Sequence, residues 1–543
     1  MASTSPSDRE PVIIGVADVV NRSGTPHEPL ALISDAVQGA LRDASSSSSS
    51  SSSDPSSLRS AVNELAVVKI WTWPYDDLPG LVAARTGLGK ATTRNGEHGG
   101  HAPVKALDEA CRKIVAGDEG VKVLAGGEAL ASLTACAKKG KLPPPGWTQT
   151  STRVESVFSP TTRALGAENL GARHGIGNPV QVYPLYENGL RAARHQSRAA
   201  NHAESARLYA EFARVAAGDE YAWSYGREPV TEEGIGRVDG RNRMICYPYP
   251  LLMNAFNNVD LAAAVVVTSV GTAKRLGVPK EKWVYVLGAA GTSDSNECMS
   301  PFPLQHSPLL TYPVWLRSSF NRSPALEHAL DGALSTAGLT DADIALHDVY
   351  SCFPIVPKLA AQHLGLPISG ALTLLGGLTS FGGAGNNYSM HALTEMTRRL
   401  RGARETQNGL VLANGGVLSY QHAAVLSSSP RKDGRSYPVR AVLDEHMAVS
   451  APTVVEQADG QAVVETFTVE YDRSNAPKQG FVVGRLADGR RFVANTRGRE
   501  TLRALVSDDG PEPIGRAGRV RYVADLGRNE FWFDEEETNR ARL

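Results

Sequence analysis

Cysteine is scarce in this chain: there are five, at positions 111, 136, 246, 298 and 352, among 543 residues. They are scattered, with no Cys-x-x-Cys and no Cys/His cluster at metal-ligand spacing, which argues against a disulfide framework or structural zinc and indicates no metal. Long apolar runs are missing as well. None reaches the roughly 20 residues that cross a bilayer, and the opening "MASTSPSDRE" is polar rather than a secretory leader, so the sequence predicts an intracellular chain without a membrane span. Neither sign of charge prevails: 56 Lys and Arg stand against 57 Asp and Glu, leaving no overall field to draw nucleic acid or an anionic membrane surface. What is present is 42% hydrophobic residues, enough for several buried cores, and a length that suggests two to four domains.

"PVIIGVAD" (11–18) reads as a strand, and Leu30, Ile33, Val37 and Leu41 follow at helical spacing. "DASSSSSSSSSDPSS" (43–57) has nothing to bury and predicts a disordered surface loop inside one domain, because the strand signal "ELAVVKI" resumes at once. From Val180 to about Asn242 the chain turns to long, arginine-rich and aromatic helical segments such as "ESARLYAEFARVAAG", the mark of an inserted helical domain covering one face.

The most informative feature is an internal echo. "KALDEACRKIVAGDEGVKVLAGGEAL" (105–130) and "HALTEMTRRLRGARETQNGLVLANGGVL" (391–418) share an Ala-Leu near a helix start, a basic last turn, an apolar strand and a Gly-Gly after it. The approaches match too. "GEHGGHAP" (96–103) and "GGLTSFGGAGNNYSMHAL" (376–393) both set glycine pairs and small or polar residues before the helix, the second reading as a strand end, a loop and a helix through Arg401. Glycine lets backbone approach a ligand closely, and a helix N-terminus favours negative charge or a developing oxyanion. Two such termini facing each other across a pseudo-twofold axis would make a pocket able to polarise a carbonyl or thioester.

These residues resemble the thiolase superfamily, and within it the branch called thiolase-like protein type 1. The resemblance spans roughly 10–430 and is carried by "VLAGGEAL", "NPVQVYPLYENGLRAARH", "NRMICYPYPLLMNAFNNVDLAAAVVV", "DVYSCFP", "GGAGNNYSMHA" and "NGGVLSYQHAAVL"; the rest resembles that branch's additional domain. It implies an α/β fold: a duplicated αβαβα layered core with a helical loop-domain insertion, followed by a small C-terminal β-barrel. The implied division is 1–179, inserted loop domain 180–242, remainder of the core 243–429, barrel 430–535 and tail 536–543. Coenzyme A or an acyl-CoA is the implied ligand, with nothing bound tightly, and the implied assembly is a monomer or homodimer.

Thiolase-type chemistry uses a nucleophilic cysteine at the first central helix, an Asn or His in an NEAF or HDCF motif, a His in a GHP loop and a second Cys in a CxG motif. None is where the family puts it. The nucleophile position falls at about Gly100, beside His101; the HDCF histidine becomes Tyr350, with Cys352 and Phe353 retained; the GHP histidine aligns with Gly383, and the second cysteine with Ala413 or Asn414. Cys111, three turns into its helix, reads as core packing, and His422 as part of a strand. The candidate catalytic residues are Tyr350, Cys352, His391 and His101, and the candidate thioester loop comprises Gly100, Gly382, Gly383, Asn386, Asn387 and Asn414. Asn386 and Asn387 equally suit a helix cap, and Tyr350, Cys352 and His391 equally suit a core. Three functions stay open: an acyltransferase or lyase using altered residues, a non-catalytic CoA or acyl-CoA binder, and an interaction scaffold built on the barrel.

After Ser429 short alternating strands follow: "YPVRAVLDEH", "QAVVETFTVEYD", "GFVVGRLADGRRFVANT" with "ADGRR" as a hairpin turn, and "GRVRYVADLGRNEFWFD". This predicts an OB-like barrel without the basic and aromatic stripe of a nucleic-acid binder. The chain ends in Ala541-Arg542-Leu543, which fits the small-basic-leucine pattern read by the peroxisomal import receptor and makes a peroxisomal location the expectation.

Overall fold

The computed structural model describes residues 6–45, 55–151, 170–294, 317–447 and 450–534. The expected targeting residues 541–543 and the middle of the serine tract, 46–54, lie outside them. The ends of that tract are not loop: helices Pro29–Ser45 and Pro55–Ala61 run into it from both sides, and Asp43 is ion-paired with Lys282 and Arg401.

The first half of the core contributes β1 (Pro11–Val20), β2 (Val62–Val67), β3 (Thr92–Asn95) and β4 (Val121–Ala129). Two short strands, β5 (Met244–Cys246) and β6 (Tyr249–Pro250), precede β7 (Asp260–Ser269) and β8 (Val284–Asp294). Then come β9 (Leu346–Val349), β10 (Asn408–Gly415), β11 (Tyr420–Ser427) and the two-residue β12 (His446–Met447). Apart from β5 and β6, which join a second sheet, they order as β3-β2-β4-β7-β1-β8-β11-β10-β9, with β12 on β8. Strands β4 and β7 are buried along their whole length, which is why β7 carries the unbroken apolar run 261–267 rather than an alternation, while β4 buries Lys122 and Glu128 within its own length.

The echo is a real duplication. Helix Ala102–Val115 leads into β4, which pairs antiparallel with β7 and parallel with β2; helix Tyr388–Arg401 leads into β10, which pairs antiparallel with β11 and parallel with β9. Each of these two helices packs against strands of both halves, whereas Pro29–Ser45 covers the first half and Pro324–Ala337 the second. That is the five-layered arrangement. The two central helices meet at their N-termini, where the Ser389 hydroxyl donates to the Gly100 carbonyl at 3.1 Å.

Three local expectations are corrected. The approach to the second central helix is not a strand end: Leu378–Gly382 is a π turn and Gly385–Asn387 a 3₁₀ turn, and Gly376, Gly377, Gly382 and Gly385 all have positive φ, conformations costly for other residues. "YPVRAVLDEH" forms no strand before His446: its Tyr437 is drawn down to Asp108, while Val439 and Val442 stay exposed and pair with no strand among the described residues. Likewise Gly126 and Gly127 lie within β4 rather than after it.

The barrel consists of β13 (Asp459–Tyr471), β14 (Pro477–Leu486), β15 (Arg491–Thr496), β16 (Ala517–Val523) and β17 (Arg528–Phe533), closed in the order β13-β14-β15-β17-β16-β13. Phe467, Val482, Phe492, Phe531 and Phe533 fill it, and helix Gly498–Val506 plugs it with Leu502 and Leu505, an element the strand-like sequence pattern did not announce. The helical insertion, Pro179–Ala193, Arg198–Gly218 and Glu232–Gly236, lies between core and barrel.

Candidate functional site

Gly100 sits at the turn before the first central helix. An added Cβ there would come to 2.5 Å from the Tyr350 hydroxyl and 2.5 Å from the Asn414 carbonyl oxygen, and the latter belongs to β10 backbone that cannot step aside cheaply. Tyr350 follows β9, and its N–H extends the parallel ladder by donating to the Leu412 carbonyl at 3.0 Å. Its ring meets Tyr388 edge-on at 5.5 Å. Burial lifts the Tyr350 phenol well above its ordinary range, so it stays protonated.

Asn414 anchors the other side. Its Nδ2 donates to the Tyr183 hydroxyl at 2.8 Å and lies 3.8 Å from the Cys352 sulfur, while its Oδ1 accepts from Gln421 at 2.7 Å. Burial pushes the Cys352 thiol up to about 12, outweighing the hydrogen bonds from Tyr183 and Asn414 that favour the thiolate. A thiol so placed is not a nucleophile at neutral pH. Tyr183, from the inserted helix, was not among the expected site residues; it stacks on Phe353 at 4.5 Å, and nothing in the local sequence points across the 231 residues to Asn414.

The pseudo-twofold makes a second contact of the same kind. As Gly100 presses on Asn414 of β10, so the Asn387 side chain packs over Gly126 of β4, one glycine and one asparagine in each case. Asn387 stands at the N-cap position but caps nothing with its side chain, and neither of its amide atoms has a hydrogen-bond partner among the described residues although it is 2% exposed. Asn386 Nδ2 donates to the Lys69 carbonyl at 2.7 Å and lies 3.3 Å from His98 Nδ1. Beside Gly385, Glu128 accepts from the Trp71 and Thr72 N–H groups and the Thr72 hydroxyl, yet burial still raises its carboxyl to about 7.

The remaining candidates are spread out. His391 turns to Asp18 on β1, Nδ1 to Oδ1 2.5 Å, and its ring packs on Phe381 rather than on Tyr350 or Asn414. Burial raises the Asp18 carboxyl, but Arg398 and then His391 pull it below the usual range. His101 is buried, stacks on Tyr420 at 5.0 Å and lies 3.5 Å from Glu97; burial lowers its pKa and favours the neutral ring. Gly382 lies against Val259, Leu261 and Trp223, and Gly383, where a GHP histidine would stand, donates its N–H to Phe256 and abuts the Asn257 side chain. Cys111 is fully buried, and His422 Nε2 faces Asp108 at 2.9 Å within the core. Among the described residues no group of His, Cys, Asp and Glu could hold a metal ion, and no helix is long and apolar enough to cross a membrane.

Two meeting helix N-termini can hold a carbonyl or thioester oxygen, but among the described residues no activated thiolate stands beside them. Duplicated halves and meeting central helices define a thiolase-like fold. Residues 438–523 match the family described as thiolase-like protein type 1 additional C-terminal domain. The crystal structure of a monomeric SCP2-thiolase-like protein type 1 from Mycobacterium smegmatis is similar over 97% of this chain and 99% of that one, with 30% identity and a TM-score of 0.77. An aldolase, Ltp2-ChsH2(DUF35), shares the fold at 19% identity and a TM-score of 0.54, over 78% of this chain and 100% of that one. No curated protein matches the chain. The chain belongs to the thiolase-like protein type 1 family.

Proposed function

We propose that this protein binds coenzyme A or an acyl-CoA where its two central helices meet and does not carry out thiolase acyl transfer. The observation that carries this reading is the filled space at Gly100: the volume a nucleophilic side chain would need is taken by the Tyr350 hydroxyl and the Asn414 carbonyl, each 2.5 Å from where its Cβ would sit. The nearby thiol, Cys352, is held protonated. The glycine turns and helix termini that suit a thioester are retained, and among the described residues no thiol stands activated to attack it. The rival reading, turnover by altered residues, rests on His391, whose Nε2 has no hydrogen-bond partner among the described residues while Nδ1 faces Asp18. Calorimetry with CoA and a series of acyl-CoA esters tests the proposal. Saturable binding with no release of free thiol over hours is expected; steady thiol release that disappears in His391→Ala establishes the rival, and no binding of any ester removes both.

A further inference from the structure

A cavity of about 350 Å³ opens at the seam between barrel and core, lined by Ser318, Ser450, Thr453, Arg485, Asp488 and Arg490, among others. The turn joining β14 to β15 supplies Asp488 and Arg490, and Arg485 stands near the end of β14. Its walls are firmly set. The Thr453 carbonyl accepts the Arg491 N–H at 2.8 Å, and the buried Arg491 guanidinium donates to the Arg317 carbonyl, next to Ser318.

The donors facing this space are unequally committed. Arg485 gives Nε and one NH₂ group to Glu465, at 2.7 and 3.1 Å, and the other to the Gly489 carbonyl at 3.0 Å. Among the described residues Arg490 gives only Nε, to Asp488 at 2.6 Å, so four of the five N–H groups of its guanidinium have no described partner and are offered to a ligand. The hydroxyls of Ser318, Ser450 and Thr453 make no hydrogen bond to a described residue and add three more donors. An open guanidinium fork beside hydroxyls is the chemistry that recognises phosphate oxygens. A volume of this size is at the lower end of small-molecule sites.

The cavity is also tied to the helix meeting point. Arg317 donates to the Val417 carbonyl at 3.2 Å and the Ser419 hydroxyl at 3.0 Å, in the turn that directly follows Asn414 and Gly415. Val417 is three steps along the chain from Asn414, a reach of at most about 11 Å. A CoA ester carries its sulfur and its phosphates at opposite ends of a flexible arm, so its two ends can lie in different sites.

We propose that this seam is an organic-phosphate site and, resting on the CoA reading above, that it takes the phosphate-bearing end of the same ligand. Asp488 then competes with the ligand for Arg490. Calorimetry on the full chain with CoA, adenosine 3′,5′-bisphosphate, pantetheine and inorganic phosphate tests this. Arg490→Ala should weaken CoA and the bisphosphate about tenfold and leave pantetheine unchanged, while Asp488→Asn should tighten both phosphates several-fold. Both side chains are half exposed, and unchanged thermal melts confirm that the variants fold. CoA binding indifferent to both substitutions overturns the seam site and leaves the CoA reading standing. Bisphosphate binding that needs Arg490 while CoA fails to bind overturns the CoA reading and keeps the seam as a phosphate site. Inorganic phosphate binding as tightly as the bisphosphate overturns the assignment to an organic phosphate.

Discussion

Gly100, Tyr350 and Asn414 compete for one small volume, and only glycine at the first position lets the other two stay. Gly100→Ala should therefore cost about 1–3 kcal/mol by overpacking, measured by urea denaturation. Adding Tyr350→Ala removes one of the two obstructing atoms and should return part of that loss; strictly additive costs would show that the two residues do not share the space. Glu128 gives a pH signature. Its carboxyl titrates near 7 in the fold against 4.5 when free, so between those values the folded state keeps a proton that the unfolded chain has released. Stability should then fall as pH rises through that window, by about 3 kcal/mol in all, and Glu128→Gln should flatten that segment of the stability curve. The absence of a thiolase nucleophile was legible in the sequence, since the loop before the helix contains no cysteine. That a tyrosine just past β9 fills the place was not, because the contact joins residues 250 positions apart and depends on how β9 and the central helix are set. His391 was equally opaque: its partner Asp18 lies 373 residues away.

At the scale of elements, the helical insertion is held to the core by a buried charge cluster. Lys358, fully buried on helix Ile355–Leu364, donates to Glu187 at 2.6 Å, Ser205 at 2.8 Å and Asn201 at 3.0 Å, and Glu187 also accepts the Tyr249 hydroxyl at 2.6 Å. Lys358→Met leaves Glu187 uncompensated and should destabilise by about 3–5 kcal/mol in chemical denaturation, with Glu187→Gln in the same chain recovering part of it. If the single change costs under 1 kcal/mol, water reaches this cluster and the insertion is looser than described. Sequence periodicity found the central helices and the strand-helix echo because both are apolar on regular spacing. It mistook the π turn at Leu378–Gly382 for a strand end, since a glycine-rich apolar run carries no period. It missed the barrel's helix because the face it buries is short, with Leu502 and Leu505 as its apolar anchors beside Thr501.

At the scale of the whole molecule, the barrel is docked rather than tethered. Asn188 donates to the Phe467 carbonyl at 3.0 Å, Thr466 to the Leu185 carbonyl at 2.6 Å, Arg191 pairs with Glu512, and Arg491 reaches into the core with no exposed surface. This leaves little of that face for a scaffold role. Among the described residues β3 ends the sheet; this edge is short, and its Arg94 is held by Glu64 and Glu109, a charged edge that discourages pairing with a second copy. Light scattering should give a monomer near 57.8 kDa; a stable dimer would mean that another surface associates. The central claim, ligand binding without thiolase chemistry, is tested most directly by exchange of isotope-labelled CoA into acetyl-CoA in the presence of the purified protein. No exchange above the uncatalysed rate, at ester concentrations where calorimetry shows the protein saturated, is the predicted result. Exchange that scales with protein concentration and is abolished by changing Tyr350 or His391 would contradict it.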